Sequence, residues 1–142
     1  MKSPLKILEI YLKKSSININ EKFLFSEKPN MKVDIRLNDL DFYSPKDNHF
    51  ISNLGIFLSG TINGETVFDL NVEYTLHSTI EGLSNDEIFR LQHTNIANYL
   101  FPFIRSECNR LLADTSLPKF QVQPIDFTAL YISKYEKSED LT

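Results

Sequence analysis

The 142-residue chain is expected to fold as one α+β domain, residues 1–142. The expected architecture is a four-stranded antiparallel sheet followed by a long kinked helix and a short C-terminal helix. Three observations predict it. Alternating apolar residues dominate the chain as far as Ile80, the tight-turn pair Asn63-Gly64 joins two of these runs, and after Gly82 the apolar period lengthens to that of a helix. The length suits one domain, and 42% hydrophobic residues supply a core and exclude an intrinsically disordered chain.

The elements follow in order. From Leu5 to Ile19 apolar residues alternate in parts (Leu8, Ile10, Leu12, then Ile17 and Ile19), which predicts one strand, or two joined by Lys13 to Ser16. Phe23 to Asn30 reads as a loop carrying Phe23, Phe25 and Pro29. Met31 to Leu37 is the cleanest strand: Met31, Val33, Ile35 and Leu37 face one way, Lys32, Asp34 and Arg36 the other. Asn38 to Asn48, with Pro45 and several Asp and Asn residues, reads as a connection. His49 to Ile62 is a third strand in which Gly55 or Gly60 marks a bulge or bend. Asn63-Gly64 then predicts a hairpin, because both residues tolerate the positive φ of a primed turn. The strand after it is two-faced, with Phe68, Leu70, Val72, Tyr74 and Leu76 opposite Val67, Asp69, Asn71, Glu73 and Thr75.

Ser84 with Glu87 predicts a capping box at the start of the long helix. The helical pattern runs to about Ala113 with a break near His93 to Asn95, and Pro102 predicts a kink. Ile96, Leu100, Ile104, Cys108 and Leu111 share its apolar face. Leu117 to Pro124 reads as extended. Asp126 can cap a last helix whose apolar side is Phe127, Leu130 and Tyr131.

Composition and spacing argue against catalysis. Fifteen basic against 19 acidic residues, a formal charge of -4 and no basic stripe make a poor phosphate-backbone binder, so no nucleic-acid partner is expected. Only 4 glycines leave no phosphate-cradling loop. His49, His77 and His93 are far apart in the chain and lack metal-site spacing. Asp39, Asp41 and Asp47 lack the glycine and terminal Glu of a calcium loop. Cys108, the one cysteine, falls on the apolar helix face and reads as a small buried hydrophobe. Glu107, beside Arg105 and Arg110, reads as a solvated helix side with pairing. The chain is therefore expected to be no enzyme and to use no cofactor or metal. No stretch approaches the roughly 20 apolar residues of a membrane span or forms a signal-peptide core, so a cytoplasmic protein without membrane insertion is expected.

The unusual feature is surplus apolar material. If helices cover one sheet face, a strand surface, the loop aromatics and a C-terminal Tyr can form an open groove; composition alone favours the alternative, that these residues are ordinary core or a subunit interface. A fully buried apolar side chain contributes about 1.5–3 kcal/mol, while association costs on the order of 4–15 kcal/mol. Several simultaneous contacts are needed, and an extended unfolded segment supplies several.

Three blocks carry a family resemblance. Asn95-Ile-Ala-Asn-Tyr-Leu-Phe-Pro-Phe-Ile-Arg-Ser-Glu-Cys108, Leu117-Pro-Lys-Phe120 and Gln123-Pro-Ile-Asp-Phe-Thr-Ala-Leu-Tyr131 together resemble SecB, the bacterial export chaperone. The fit extends more weakly upstream and covers roughly residues 6 to 135. The resemblance implies an ATP-independent holding chaperone, a homotetramer built as a dimer of dimers, that keeps preproteins and other unfolded clients translocation-competent. It implies client binding at Phe23, Phe25, Met31, Val33, Ile35, Phe68 and Tyr131, although the family's loop Trp aligns with Glu27. It places Leu70, Val72 and Tyr74 near the dimer–dimer contact. The positions matching the family's acidic SecA-docking patches are Lys14, Asn18, Asp69 and Asn71; two acids are missing and one charge is reversed. SecB-like proteins outside dedicated export include chaperones of a toxin–antitoxin system's antitoxin, which is the alternative reading.

Overall fold

A computed structural model of the chain describes residues 3–23, 30–117 and 121–136. Five strands form one antiparallel sheet: β1 Leu5–Ile19, β2 Lys32–Leu37, β3 Asp41–Lys46, β4 His49–Ile62 and β5 Glu65–Ile80. Their order is β1-β5-β4-β2, and the short β3 pairs with the start of β4 while β2 pairs with its end. The expected four strands are thus present, with a fifth inside the stretch expected to be a connection. Pro45 and the polar residues hide its alternation. Phe42 gives it an apolar anchor, with its ring 6.4 Å from Phe50 and 6.4 Å from Phe89, and the Asn53 amide donates to Asp41 at 2.8 Å.

The first run of residues is one strand, not two. Its alternation breaks because the β1–β5 register shifts between Ile7 and Glu9 and again between Leu12 and Lys14. An extra residue moves the following side chains to the other face. The predicted hairpin is present between Ile62 and Glu65, with Asn63 at φ 50° and Gly64 at φ 78°.

The register lines up one apolar face. Val33 opposes Gly60, which opposes Phe68, which opposes Ile19; the next row joins Ile35, Leu58, Leu70 and Ile17. Helices cover the middle of this face. Helix α1, Asn85–Leu91, begins at the predicted capping box: Ser84 Oγ accepts from the Glu87 amide at 3.2 Å, and Glu87 accepts from the Ser84 amide at 3.0 Å. A π-helical turn, Gln92–Ile96, occupies the expected break and leads into α2, Ala97–Ala113. Ile96, Leu100, Ile104 and Cys108 are buried against the sheet, principally against β5 and β4, while Pro102 stands on the exposed side. Asp126 caps α3, Phe127–Tyr131, by accepting from the Ala129 amide at 3.1 Å, and a second π-helical turn, Ile132–Glu136, follows.

Glu107 departs from the solvated-surface reading. It is 6% exposed and lies between helix and sheet, where Ser15 Oγ donates at 2.5 Å and Arg110 donates twice, at 2.6 and 2.7 Å. Arg105 is engaged elsewhere, donating to the Val122 carbonyl at 2.8 Å. The Arg110 hydrogen bonds hold the Glu107 carboxyl below its ordinary value of 4.5; burial opposes them and the Ser15 hydroxyl adds to them. A depressed folded-state pKa stabilises the fold above the unfolded value and loses that contribution as pH falls through the folded one. Glu107→Gln should therefore lower stability in urea titrations at pH 7. The gap to the original protein should close as pH drops below 4.5, and a gap that widens in acid would refute this role.

Candidate functional site

The margin of the helix-covered face lies on β2. Gly60, on the neighbouring strand, leaves room there: a Cβ on it would meet Phe68 Cε1 at 2.3 Å and Met31 Sδ at 2.8 Å. The missing side chain lets the Phe68 ring lie across β4 beneath Met31. Phe68 is 1% exposed, so it forms the floor of this strip and not its contact surface. Val33 and Met31 are half-buried beside it, and Ile35 is 50% exposed. The structure thus gathers Met31, Val33, Ile35 and Phe68 along one sheet margin. Phe23 is buried in the core cluster, in a short 3₁₀ turn after β1. Phe25 and Glu27 lie outside the described residues.

Tyr131 belongs to a second group of rings. It stands 5.0 Å from Tyr135, 6.2 Å from Phe89 and 6.2 Å from His93, centroid to centroid. Tyr131, Tyr135 and His93 border an apolar pocket whose other wall includes Leu37, Leu40 and Leu54. Leu37 connects the two regions, since it follows Ile35 on the same face of β2 and also lines the pocket. Met31, Val33, Ile35 and Leu37 therefore lead along β2 into the Tyr131 pocket. Two ion pairs fasten the C-terminal helix beside it: Lys134 to Asp39 at 3.5 Å and Arg90 to Glu136 at 2.6 Å. Reading the chain alone missed Leu40, Phe89, His93 and Tyr135. The i, i+4 spacing of Phe89 with His93 and of Tyr131 with Tyr135 is the signal that pointed there.

The residues aligned with a subunit contact divide. Leu70 and Val72 have no exposed surface, because α2 covers them within this protomer. Tyr74 is half-buried, its ring 5.9 Å from that of the exposed Phe103. On the opposite sheet face, Lys14 and Asn18 are exposed while Asp69 and Asn71 are half-buried. Asn18 donates to Asp69 at 3.0 Å, Lys13 pairs with Glu73 at 3.4 Å, and Lys22 pairs with Glu65 at 3.0 Å. Each of these three acids has a neighbour on or beside β1; the lysines offset Glu73 and Glu65, while the neutral Asn18 leaves the Asp69 charge uncancelled.

Sequence distance misled for two histidines. The β4–β5 pairing brings His49 and His77 together, Nδ1 to Nε2 at 2.9 Å. Burial, Lys46 and His77 push the His49 pKa below its ordinary value. Cys108 is buried as expected, and burial pushes its thiol up to about 12, far from a reactive thiolate. Among the described residues, no three His, Cys, Asp or Glu side chains are placed to hold a metal, and no helix is long and apolar enough to cross a membrane.

Comparison with known proteins gives this geometry a family. The SecB family, described as preprotein translocase subunit SecB, matches residues 1–138. The protein-export protein SecB of Xylella fastidiosa is 31% identical over 126 residues, spanning 88% of this chain and 73% of its own. That of Alcanivorax borkumensis is 27% identical over 139 residues, spanning 94% and 87%. Among solved structures, the SecB-like chaperone Rv1957 of Mycobacterium tuberculosis, in complex with a ChAD peptide from the HigA1 antitoxin, superposes with a TM-score of 0.69. It shares 13% identity, with 86% of this chain and 91% of that one covered, so it supports the fold. A family match across nearly the entire chain, carried on the same α+β fold, establishes that the chain belongs to the SecB family of protein-export chaperones.

Proposed function

We propose that this protein is an ATP-independent holdase that binds unfolded polypeptides or preproteins along β2 and in the Tyr131 pocket, keeping them translocation-competent. The observation that carries the proposal is the apolar strip from Met31 to Leu37, which leaves Ile35 half exposed and opens into a pocket lined by aromatic rings. Three or four such side chains contribute about 5–12 kcal/mol when buried, against an association cost on the order of 4–15 kcal/mol. One strip alone therefore holds a segment loosely. Several strips on one assembly, engaging one long client, convert weak contacts into retention. This is the physical reason a holdase of this design favours an oligomer.

Apolar surface suited to a homotetramer, a dimer of dimers, lies away from the strip. Leu8, Tyr11 and Leu12 are exposed on β1, whose outer edge has no partner among the described residues, and Tyr99 and Phe103 are exposed on α2. Tyr99→Asp with Phe103→Asp should shift the protein to a smaller species in sedimentation velocity; an unchanged distribution would remove α2 from the assembly surface. Val33→Asp with Ile35→Asp should weaken suppression of aggregation of a chemically unfolded client, measured by light scattering without nucleotide. Equal suppression by the double variant would count against the strip.

A second reading, a chaperone dedicated to one partner such as an antitoxin, is favoured by the paired acids on the outer face. Two of those acids are paired with lysines. A partly compensated surface weakens the long-range attraction that speeds docking to a partner such as SecA, which the family resemblance places on acidic patches. Binding to purified SecA, with and without an unfolded client, separates the two. The dedicated reading expects weak SecA binding at all salt concentrations and capture of one client from a set of unrelated unfolded proteins. Tight SecA binding together with capture of many clients would exclude it.

A further inference from the structure

The His49–His77 pair lies on the sheet face opposite the helices and takes no part in the proposed client strip. On that face His49 opposes Thr79 and His77 opposes Ile51, a diagonal cross-strand arrangement. Both imidazoles are half-buried, their rings 5.1 Å apart between centroids, with Nδ1 of one and Nε2 of the other 2.9 Å apart. A single hydrogen fills that gap now. Metal–imidazole bonds of about 2.0–2.1 Å at a tetrahedral angle separate two ligand nitrogens by about 3.3 Å. A ring rotation that widens the gap by about 0.4 Å would suffice to admit a metal ion.

We propose that His49 and His77 form a two-histidine site for a divalent transition-metal ion of the imidazole-seeking class, Cu2+, Ni2+ or Zn2+. Water completes the coordination, since the described residues supply no group of three ligands. An open cavity of about 680 Å3 beside His49, lined also by Lys6, Thr79 and Glu81, gives those waters room. Of the charged neighbours in register, Glu9 opposes His77 and Lys46 opposes His49, so a carboxylate stands on one flank and an ammonium on the other. Imidazole donors with water suit copper, nickel and zinc, with copper tightest, and disfavour calcium and magnesium. Because the two ligands sit on adjacent strands, the ion cross-links β4 to β5 and stabilises the folded state by mass action.

Two measurements on the untagged full chain test this. Sub-stoichiometric Cu2+ should broaden the imidazole NMR signals of His49 and His77 before those of His93. Zinc at ten times its dissociation constant should raise Tm by ~4 °C, and both His49→Asn and His77→Asn should abolish the rise. Broadening that reaches His93 first, or a zinc response that is absent or survives in both variants, would overturn the site.

Discussion

One helix is too narrow for the apolar face it covers, and the rest of the structure depends on that mismatch. An α-helix with its side chains is about 10–12 Å across, while neighbouring strands lie ~4.8 Å apart. It can seal two strands and part of a third. Here α2 lies principally on β5 and β4, and Leu54, Ile56, Leu58, Leu70, Val72 and Leu76 disappear beneath the helical layer. The apolar rows nevertheless continue onto β2, where Val33 and Ile35 stay in register with Gly60 and Leu58. A row of side chains that outruns its cover must remain partly wet or find a partner from outside the fold.

Local details keep that margin open. Gly60 lets Phe68 and Met31 stack across β4, where a larger residue would push one of them away. The C-terminal helix covers the far end of the trough only in part, fastened by the Lys134–Asp39 and Arg90–Glu136 ion pairs and by Arg90 over the Tyr131 ring at 5.7 Å. Exposed ion pairs of this kind contribute about 0–1 kcal/mol each, a light grip on the helix end. The Glu107–Arg110–Ser15 contact lies on the other side of the helix–sheet interface and ties α2 to β1. The helical layer is therefore held firmly at its inner side and loosely at its outer end.

Much of this was legible in the chain because strand and hairpin signals are local. The Met31–Leu37 alternation, Asn63-Gly64, the Ser84–Glu87 box, the break near His93 and the Asp126 cap each depend on neighbours within a few residues. What escaped depends on register. The bulges in β1 shift side chains between faces, so its interrupted alternation resembled two strands. Strand β3 was obscured by Pro45, and Glu107 looked like a surface residue because its partner Ser15 is 92 positions away. His49 and His77 looked unrelated for the same reason. In the candidate site, the apolar row of β2 could be read directly, but Phe68 as floor rather than surface could not. That distinction follows from a glycine on a different strand.

The proposed client strip requires that Ile35 and its neighbours be reachable by an unfolded chain. A photo-crosslinking amino acid at position 35 tests it most directly, with one at position 71 on the opposite face as control. Client adducts should form from position 35, and few from position 71, when an unfolded protein is added. Adducts from position 35 that join only two copies of this chain, whether or not client is present, would contradict it.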